Sequence, residues 1–472
     1  MAWPIKLRGL LILLIALSGC STLRLDAGFD DVKASVEERS KAQIIWNNGS
    51  DLDRQAEEKV HSLLAENLTA DQAVQVALLN NRELQAIYSD LGIAQSDLVQ
   101  AGLLKNPIFD AVVTFPTTGG RTDLELTAVM NFLDVFYLPL RTRVAAARFE
   151  EAKLRVTGAV LTFAGGTRKA FYIQQANQQM LELRQTVVQA LSASLEVAGR
   201  LQDAGNISDL DFARQRALLE SGKLTLRSTE TAVSQSREQL NMWMGLWGKE
   251  TEWRIDKRLP DVPLSPAEAE GDEKEAIEKS LDLQSVRQRI LAAGEQLGFA
   301  KATALIPEAD VGTRGERREG PFTVGPVLVF PIPLFDQGQG RSGRAAAELR
   351  RAQQDYYAIA VKIRSMARSL RDRIQAAQDR ALYYHDVLLP LQEQILNETQ
   401  LHYNAMQIGV ADLLRAKEQQ IETAGAYVEA LRDYWIARVD FEQLMSGRLP
   451  DSTGLPALST GIQPRSNTVQ GD

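Results

Sequence analysis

A single cysteine, Cys20, rules out disulfides within the chain and thiolate metal clusters. Histidine is almost as scarce. His61, His385 and His402 stand far apart, and no spacing pairs them with carboxylates as metal ligands or with a nucleophile. The glycines between Gly312 and Gly320 form no phosphate-binding fingerprint and read as a loop between strands. No catalytic constellation remains, so the chain is not expected to be an enzyme. Positive charge is not in excess either: the net charge of -8 argues against a nucleic-acid binder. The run Leu10 to Leu17 is too short for a spanning helix. Proline is missing from Leu140 to Ala204, and that absence permits one very long helix.

The N-terminus sets the compartment. Lys6 and Arg8 precede the apolar run, which ends Leu17-Ser18-Gly19-Cys20, the pattern of a secretory signal peptide over residues 1–19. Its end resembles the bacterial lipobox, in which cleavage leaves an acylated cysteine, so the one cofactor-like group expected is a covalent lipid on Cys20. Ser21 follows where an aspartate would favour inner-membrane retention; the expected location is the outer membrane, with the body in the periplasm. Residues 20–66 are polar with isolated anchors such as Phe29, Ile44, Ile45 and Trp46, and read as a lipidated tether outside the body.

The run from Pro139 to Ala204 would span roughly 95 Å as one helix. It carries two apolar seams. Leu181, Val188 and Leu195 recur with Leu191 and Ala198; beside them run Met180, Val187 and Leu201 with Leu183, Ala190 and Val197. Two adjacent seams call for a helix on each side, as in a bundle wall or helical barrel, although a long spacer coiled coil would also show such a run.

Ahead of it, Thr69 and Gln72 have capping-box spacing, and helical periodicity continues to about Leu104. From Asn106 the period changes to two, with Phe109, Ala111, Val113 and Phe115 on one face and Ile108, Asp110, Val112 and Thr114 on the other. Gly119 and Gly120 mark a turn, and Leu124 to Leu138 reads as the returning strand. After the long helix come a turn at Gly205 to Ser208 and a second helix from Asp209 to about Met244. The proline-containing, acidic stretch 247–273 reads as an irregular linker.

Then the plan repeats. Ala276 to Leu305 is helical, Pro307 to Arg314 and Phe322 to Pro331 are strands around a Gly315 to Gly320 turn, Leu334 to Ala405 is helical with a break at Pro390, and Val410 to Met445 follows. Leu84 matches Leu283, Pro107 matches Pro307, Leu138-Pro139-Leu140 matches Ile332-Pro333-Leu334, and Gln239-Leu240 matches Gln443-Leu444, all at offsets of about 200 residues. The repeats are thus 67–246, with a hairpin near 106–138, and 274–446, with a hairpin near 307–331. The Ser/Thr/Gly/Pro-rich tail 447–472 reads as disordered.

The fold class expected is mainly α with membrane β-strands. Four strands cannot close a barrel, and open edges are prohibitive in lipid, so several chains must share one; three would give twelve strands. The lipobox, the duplication and the corner Phe330-Pro331-Ile332-Pro333-Leu334-Phe335-Asp336 resemble TolC-family outer-membrane efflux proteins of the lipid-anchored type, over about residues 67 to 446. The resemblance implies a homotrimer with a shared 12-stranded barrel, an α-helical periplasmic tunnel, and a periplasmic adaptor and an inner-membrane pump as partners. It implies a passive exit duct for small toxic solutes, heavy-metal ions included. It also implies a periplasmic gate at the helix tips: Asp211 stands at the spacing of the first-repeat tip aspartate, Tyr403 and Asp412 at those of the gate tyrosine and a second aspartate. Arg415 occupies the next acidic position, a departure from the family. The competing role for Asp209, Asp211 and Asp412 is helix capping. Two rival functions share the features: a pore-free periplasmic coiled-coil lipoprotein, which has no use for two strand pairs, and a type I secretion duct, which has the same plan. His402 and Met406, near the second tip, are weak candidates for touching metal cargo.

Overall fold

The computed structural model describes residues 26–115, 117, 122–263, 272–318 and 320–450. Signal peptide, Cys20, the Gly119-Gly120 turn and the tail beyond residue 450 lie outside these. From residue 26 onward, the segment assigned to an external tether is instead part of the body. It forms α1 (Phe29–Ser40) and α2 (Asp51–Ala65), and buries Val32, Val36, Ile44, Ala56 and Val60. Its few apolar residues fall at helical spacing on one face, which is enough to dock it.

The first repeat begins with the short strand β1 (Asn67–Leu68) and α3 (Ala70–Asn80), opened by the expected capping box of Thr69 and Gln72. The helix then breaks. The Asn81 side chain accepts the N–H groups of Glu83 and Leu84 and starts α4 (Arg82–Ala101). Strands β2 (Ile108–Thr114) and β3 (Asp123–Asn131) follow, then α5 (Asp134–Asp203), an uninterrupted 70-residue helix. It starts five residues before Pro139, because the Asn131 side chain accepts the Asp134 N–H and caps the helix there; the strand ends at Asn131 and not at Leu138. α6 (Asp209–Met244) returns alongside it.

The connecting stretch 247–273 is not a free linker where it is described. Its strand β4 (Arg254–Ile255) pairs in parallel with β1, while Trp253, Leu259 and Val262 are buried in one core with residues of α5 and α3.

The second repeat copies the first in detail. α7 (Asp272–Lys279) and α8 (Leu281–Ala302) break at Ser280, whose side chain accepts the Leu283 N–H as Asn81 accepts that of Leu84. Strands β5 (Asp310–Arg317) and β6 (Thr323–Val329) follow. Gly315, read from the sequence as a turn, lies inside β5, and the Phe322 ring covers the place where a Cβ would be. α9 (Gln339–Tyr383) starts later than Leu334, since the Pro331-Ile332-Pro333 corner stays extended. It meets α10 (Leu389–Asn404) through a π-turn over Tyr384–Leu388, the wider turn that accommodates Pro390, which has no N–H to give. α11 (Val410–Met445) completes the repeat. The last described residues are held too: the Arg448 guanidinium and the Leu449 N–H both bond the Asp282 carboxylate.

The four long strands form one antiparallel sheet in the order β2-β3-β5-β6, joining the two repeats through β3 and β5. In the helical layer α5 is central. The Leu191 and Val188 side chains of its first seam meet Gly222 of α6, and Met180 and Leu183 of its second meet Gly425 of α11. The two seams thus serve two different neighbours.

Candidate channel wall and tunnel entrance

The ladder register decides what each face of the sheet can do. Paired residues share a face. Phe109, Ala111 and Val113 stand opposite Ala128, Leu126 and Leu124; these continue to Thr313, Gly315 and Arg317, and Gly315 and Thr313 to Val324 and Pro326. Adding Met130, Val311 and Leu328, this face is uncharged except for Arg317 at its end. The other face carries Asp110, Asp123, Glu125, Asp310, Arg314 and Glu316, with Arg314 paired to Glu125 at 3.0 Å. Among the described residues no second layer covers the apolar face, where only the Phe322 ring folds over Gly315; Phe109 is 69% and Val324 68% exposed. An apolar face of this extent left in water is a liability; against lipid tails it is satisfied.

Among the described residues, both edges of the sheet, β2 and β6, have no partner strand. The helical layer is open in the same way. α6 lies against α5, α5 against α11, and α11 against α10, which leaves α6 and α10 as flanks. Tyr383, Val387, Leu391 and Ile395 are exposed at four-residue spacing along one flank, and Leu210, Leu218 and Leu224 on the other.

A polar corner ties sheet to helices. Asp134, 5% exposed, accepts the Lys105 N–H at 3.0 Å and pairs with Arg141 at 2.8 Å. Arg141 also donates to the carbonyls of Ala101 and Leu103, groups that the end of α4 leaves open. Burial would raise the Asp134 pKa, but the Lys105 N–H and the Arg141 hydrogen bond and charge outweigh it and hold the pKa below its ordinary value. Lys105 reaches Glu308 at 3.2 Å, and the Tyr137 hydroxyl donates to the Ile306 carbonyl at 2.7 Å, so the corner also fastens one repeat to the other. The sequence reading missed it; the three-residue spacing of Asn131 and Asp134 was the available signal.

At the opposite end of the long helices the two tips are built alike. The Asn206 N–H bonds the Leu201 carbonyl as the Gln407 N–H bonds that of His402, and Gly205 and Met406 both have positive φ, 74° and 59°. Asp211 and Asp412 each sit six residues beyond these positions. Asp211 is a cap partner: its N–H donates to the Ser208 hydroxyl, which donates back to its carboxylate at 2.7 Å, and Arg214 lies at 3.3 Å. Asp412 lies 3.6 Å from Arg415 and has no such cap, since Gly409 precedes the helix. Tyr403 is half-buried and gives its carbonyl to the Met406 N–H. Among the described residues no hydrogen bond or ion pair joins the first tip to the second within one chain. Each aspartate thus pairs with the arginine three residues on in its own helix, and only Asp211 also takes part in a side-chain cap. Met406 is 94% exposed.

No family profile matches the chain. It is 21% identical over 389 residues to the cobalt-zinc-cadmium resistance protein CzcC of Cupriavidus metallidurans, across 80% of this chain and 90% of that protein. The outer membrane protein VceC of Vibrio cholerae superposes with a TM-score of 0.65 over 81% of this chain and 97% of its own, at 16% identity. This chain has the fold of the TolC-family outer-membrane efflux channels. The open-state MtrE outer membrane channel of Neisseria gonorrhoeae gives a TM-score of 0.66 at 14% identity, covering 81% of this chain and 89% of that one. In the TolC-type architecture the strands belong to a membrane barrel and the helices to a periplasmic one. In this chain the corner at Asp134 joins the sheet to the helices, and the turns at Gly205 and Met406 lie at the far ends of the long helices.

Proposed function

We propose that the chain is one third of a trimeric exit duct in the outer membrane, a passive conduit through which an efflux system expels small toxic solutes, metal ions among them. The observation that carries this reading is the sheet: one face apolar and exposed, one face charged, and both edges unpaired. Unpaired strand edges cannot remain in lipid, so neighbouring copies must supply their partners. Cyclic repetition pairs β6 of one copy with β2 of the next, and in the same step brings the α10 flank of one to the α6 flank of the next. Twelve strands then surround an aqueous lumen lined by Asp110, Glu125, Arg314 and their neighbours.

Similarity to a cobalt-zinc-cadmium resistance protein supports metal cations as cargo, and the lumen face, with five carboxylates to one arginine, favours cations over anions. The duct has no energy source of its own, so an inner-membrane pump and a periplasmic adaptor complete the system. Acylation at Cys20 anchors it. The entrance is closed by contacts near Tyr403 and the Asp412–Arg415 pair, with Asp211 shaping its turn.

The test is a purified, detergent-extracted protein. It should have the mass of three chains and form ion-conducting pores in planar bilayers; a stable monomer without conductance refutes the duct. Asp412→Ala or Tyr403→Phe should raise single-pore conductance. Unchanged conductance in both would return these residues to local structure.

A further inference from the structure

Among the described residues, the cations in and beside the sheet are paired, with one exception. Arg314 meets Glu125 at 3.0 Å, Arg318 meets Glu316 at 3.5 Å, and Lys105 at the corner meets Glu308 at 3.2 Å. Arg317 is exposed and has neither a carboxylate nor a hydrogen-bond acceptor among the described residues. It stands opposite Leu124 at the end of β5 far from the helices, as the one charge on the apolar face.

Aromatic side chains mark two levels of that face. Phe132 and Phe330, just past the ends of β3 and β6, continue its alternation on the side of the helices, where the Phe132 N–H still bonds the Ala309 carbonyl. Phe115 and Phe322, just outside β2 and β6, continue it at the other end, the end of Arg317. All four rings are exposed to some degree, Phe115 by 73%. Membrane barrels carry such girdles at both edges of an apolar band ~25 Å tall. From Phe132 to Leu124, the partner of Arg317, are eight residue steps. They make ~27 Å along the strand, or ~19–22 Å of height at the usual tilt of 35–45°. The few ångströms left are covered by the arginine side chain, whose stem lies along apolar surface while its head seeks the interface.

The surroundings of the guanidinium have a direction. The Phe322 ring turns back over Gly315, two residues inward of Arg317 on the same strand and face. An unpaired guanidinium therefore stands just outside an aromatic floor that continues inward to the exposed Val324. Its planar fork matches two oxygens of a phosphate, and its charge is otherwise unmet.

We propose that Arg317 docks a lipid whose headgroup carries phosphate, one per chain, at the outer interface of the barrel. This rests on the membrane-barrel reading above. The guanidinium takes the phosphate oxygens, and the acyl chains run inward along Phe322 and Val324. The site is one-sided: at the inner end Lys105 and Arg141 are already held by Glu308 and Asp134, so a phosphate there has to displace a carboxylate.

The test titrates the detergent-extracted protein with diphosphoryl lipid A, with the same lipid freed of its phosphates, and with inorganic phosphate, and counts bound lipid by native mass spectrometry. The native trimer should take up to one diphosphoryl lipid per chain and bind the dephosphorylated form at least about tenfold more weakly. Arg317→Gln should bring the two lipids to the same weak level, and Arg317→Lys, which keeps the charge and loses the fork, should fall between. Arg318→Gln should bind lipid as the native protein does. The same spectra report the trimer mass, which separates lost lipid from lost assembly. Equal binding of both lipids by the native protein, or an equal loss with Arg318→Gln, overturns the site. Displacement of the lipid by millimolar inorganic phosphate makes it a free-anion site and overturns the lipid assignment. A native protein that forms neither trimer nor pore refutes the barrel and the site with it, whereas a conducting trimer whose lipid binding ignores Arg317 refutes the site alone.

Discussion

Placing an arginine at two adjacent positions of β3 asks the membrane question directly. Leu126 lies near the middle of the strand on the apolar face, opposite Ala111 and Gly315; Thr127, the next residue, lies on the charged face opposite Asp110 and Arg314. An arginine on the lipid face of a barrel at the bilayer midplane costs ~2–4 kcal/mol, falling to ~0–1 near the interfaces. Leu126→Arg should therefore lower the folding equilibrium roughly 30- to 1,000-fold per chain. In the proposed trimer three copies close one barrel, so the assembled duct would bear about 6–12 kcal/mol. Thr127→Arg meets water, the Asp110 carboxylate and the Arg314 charge, and should change stability by less than about 1 kcal/mol. Urea titration of protein refolded into lipid vesicles, with resistance of the trimer to protease as a second measure, separates the two. Equal tolerance of both substitutions, or greater damage from Thr127→Arg, would refute the facing of the sheet and with it the lumen.

Two further outcomes concern the ends of the long helices. Met406 holds a left-handed conformation that costs a non-glycine residue ~1 kcal/mol, so Met406→Gly should slow local opening of the second tip by about fivefold in amide exchange, while Gly205→Met should hasten that of the first. At the other end, the Asp134 pKa is depressed in the folded protein, so its contribution is present above its unfolded value near 4 and is lost as pH falls through the lower folded value. Asp134→Asn should thus destabilise the corner at pH 7 by about 1–3 kcal/mol, and the difference from the native protein should shrink below pH 4 in thermal melts.

What was legible in the sequence is what has a period or a count. The change from a seven-residue seam to a two-residue alternation located helices and strands. The offset near 200 residues revealed the duplication, and the structure extends it to the paired breaks at Asn81 and Ser280 and to the two tips. Element ends were less legible because they depend on single side chains. Asn131 starts α5 before its proline, and Gly315 sits in a strand because a ring covers it and not because the chain turns.

The sequence by itself determined the presence of the very long helices, the repeat and the four-stranded inventory, because periodicity, proline and residue type act locally along the chain. Only the tertiary structure decided which residues share a face of the sheet, since register is set by pairing between strands far apart in sequence. It likewise decided that residues 26–66 are body and not tether, and that α1 lies along α5. Each of these depends on contacts across tens to hundreds of residues, to which no local pattern is sensitive.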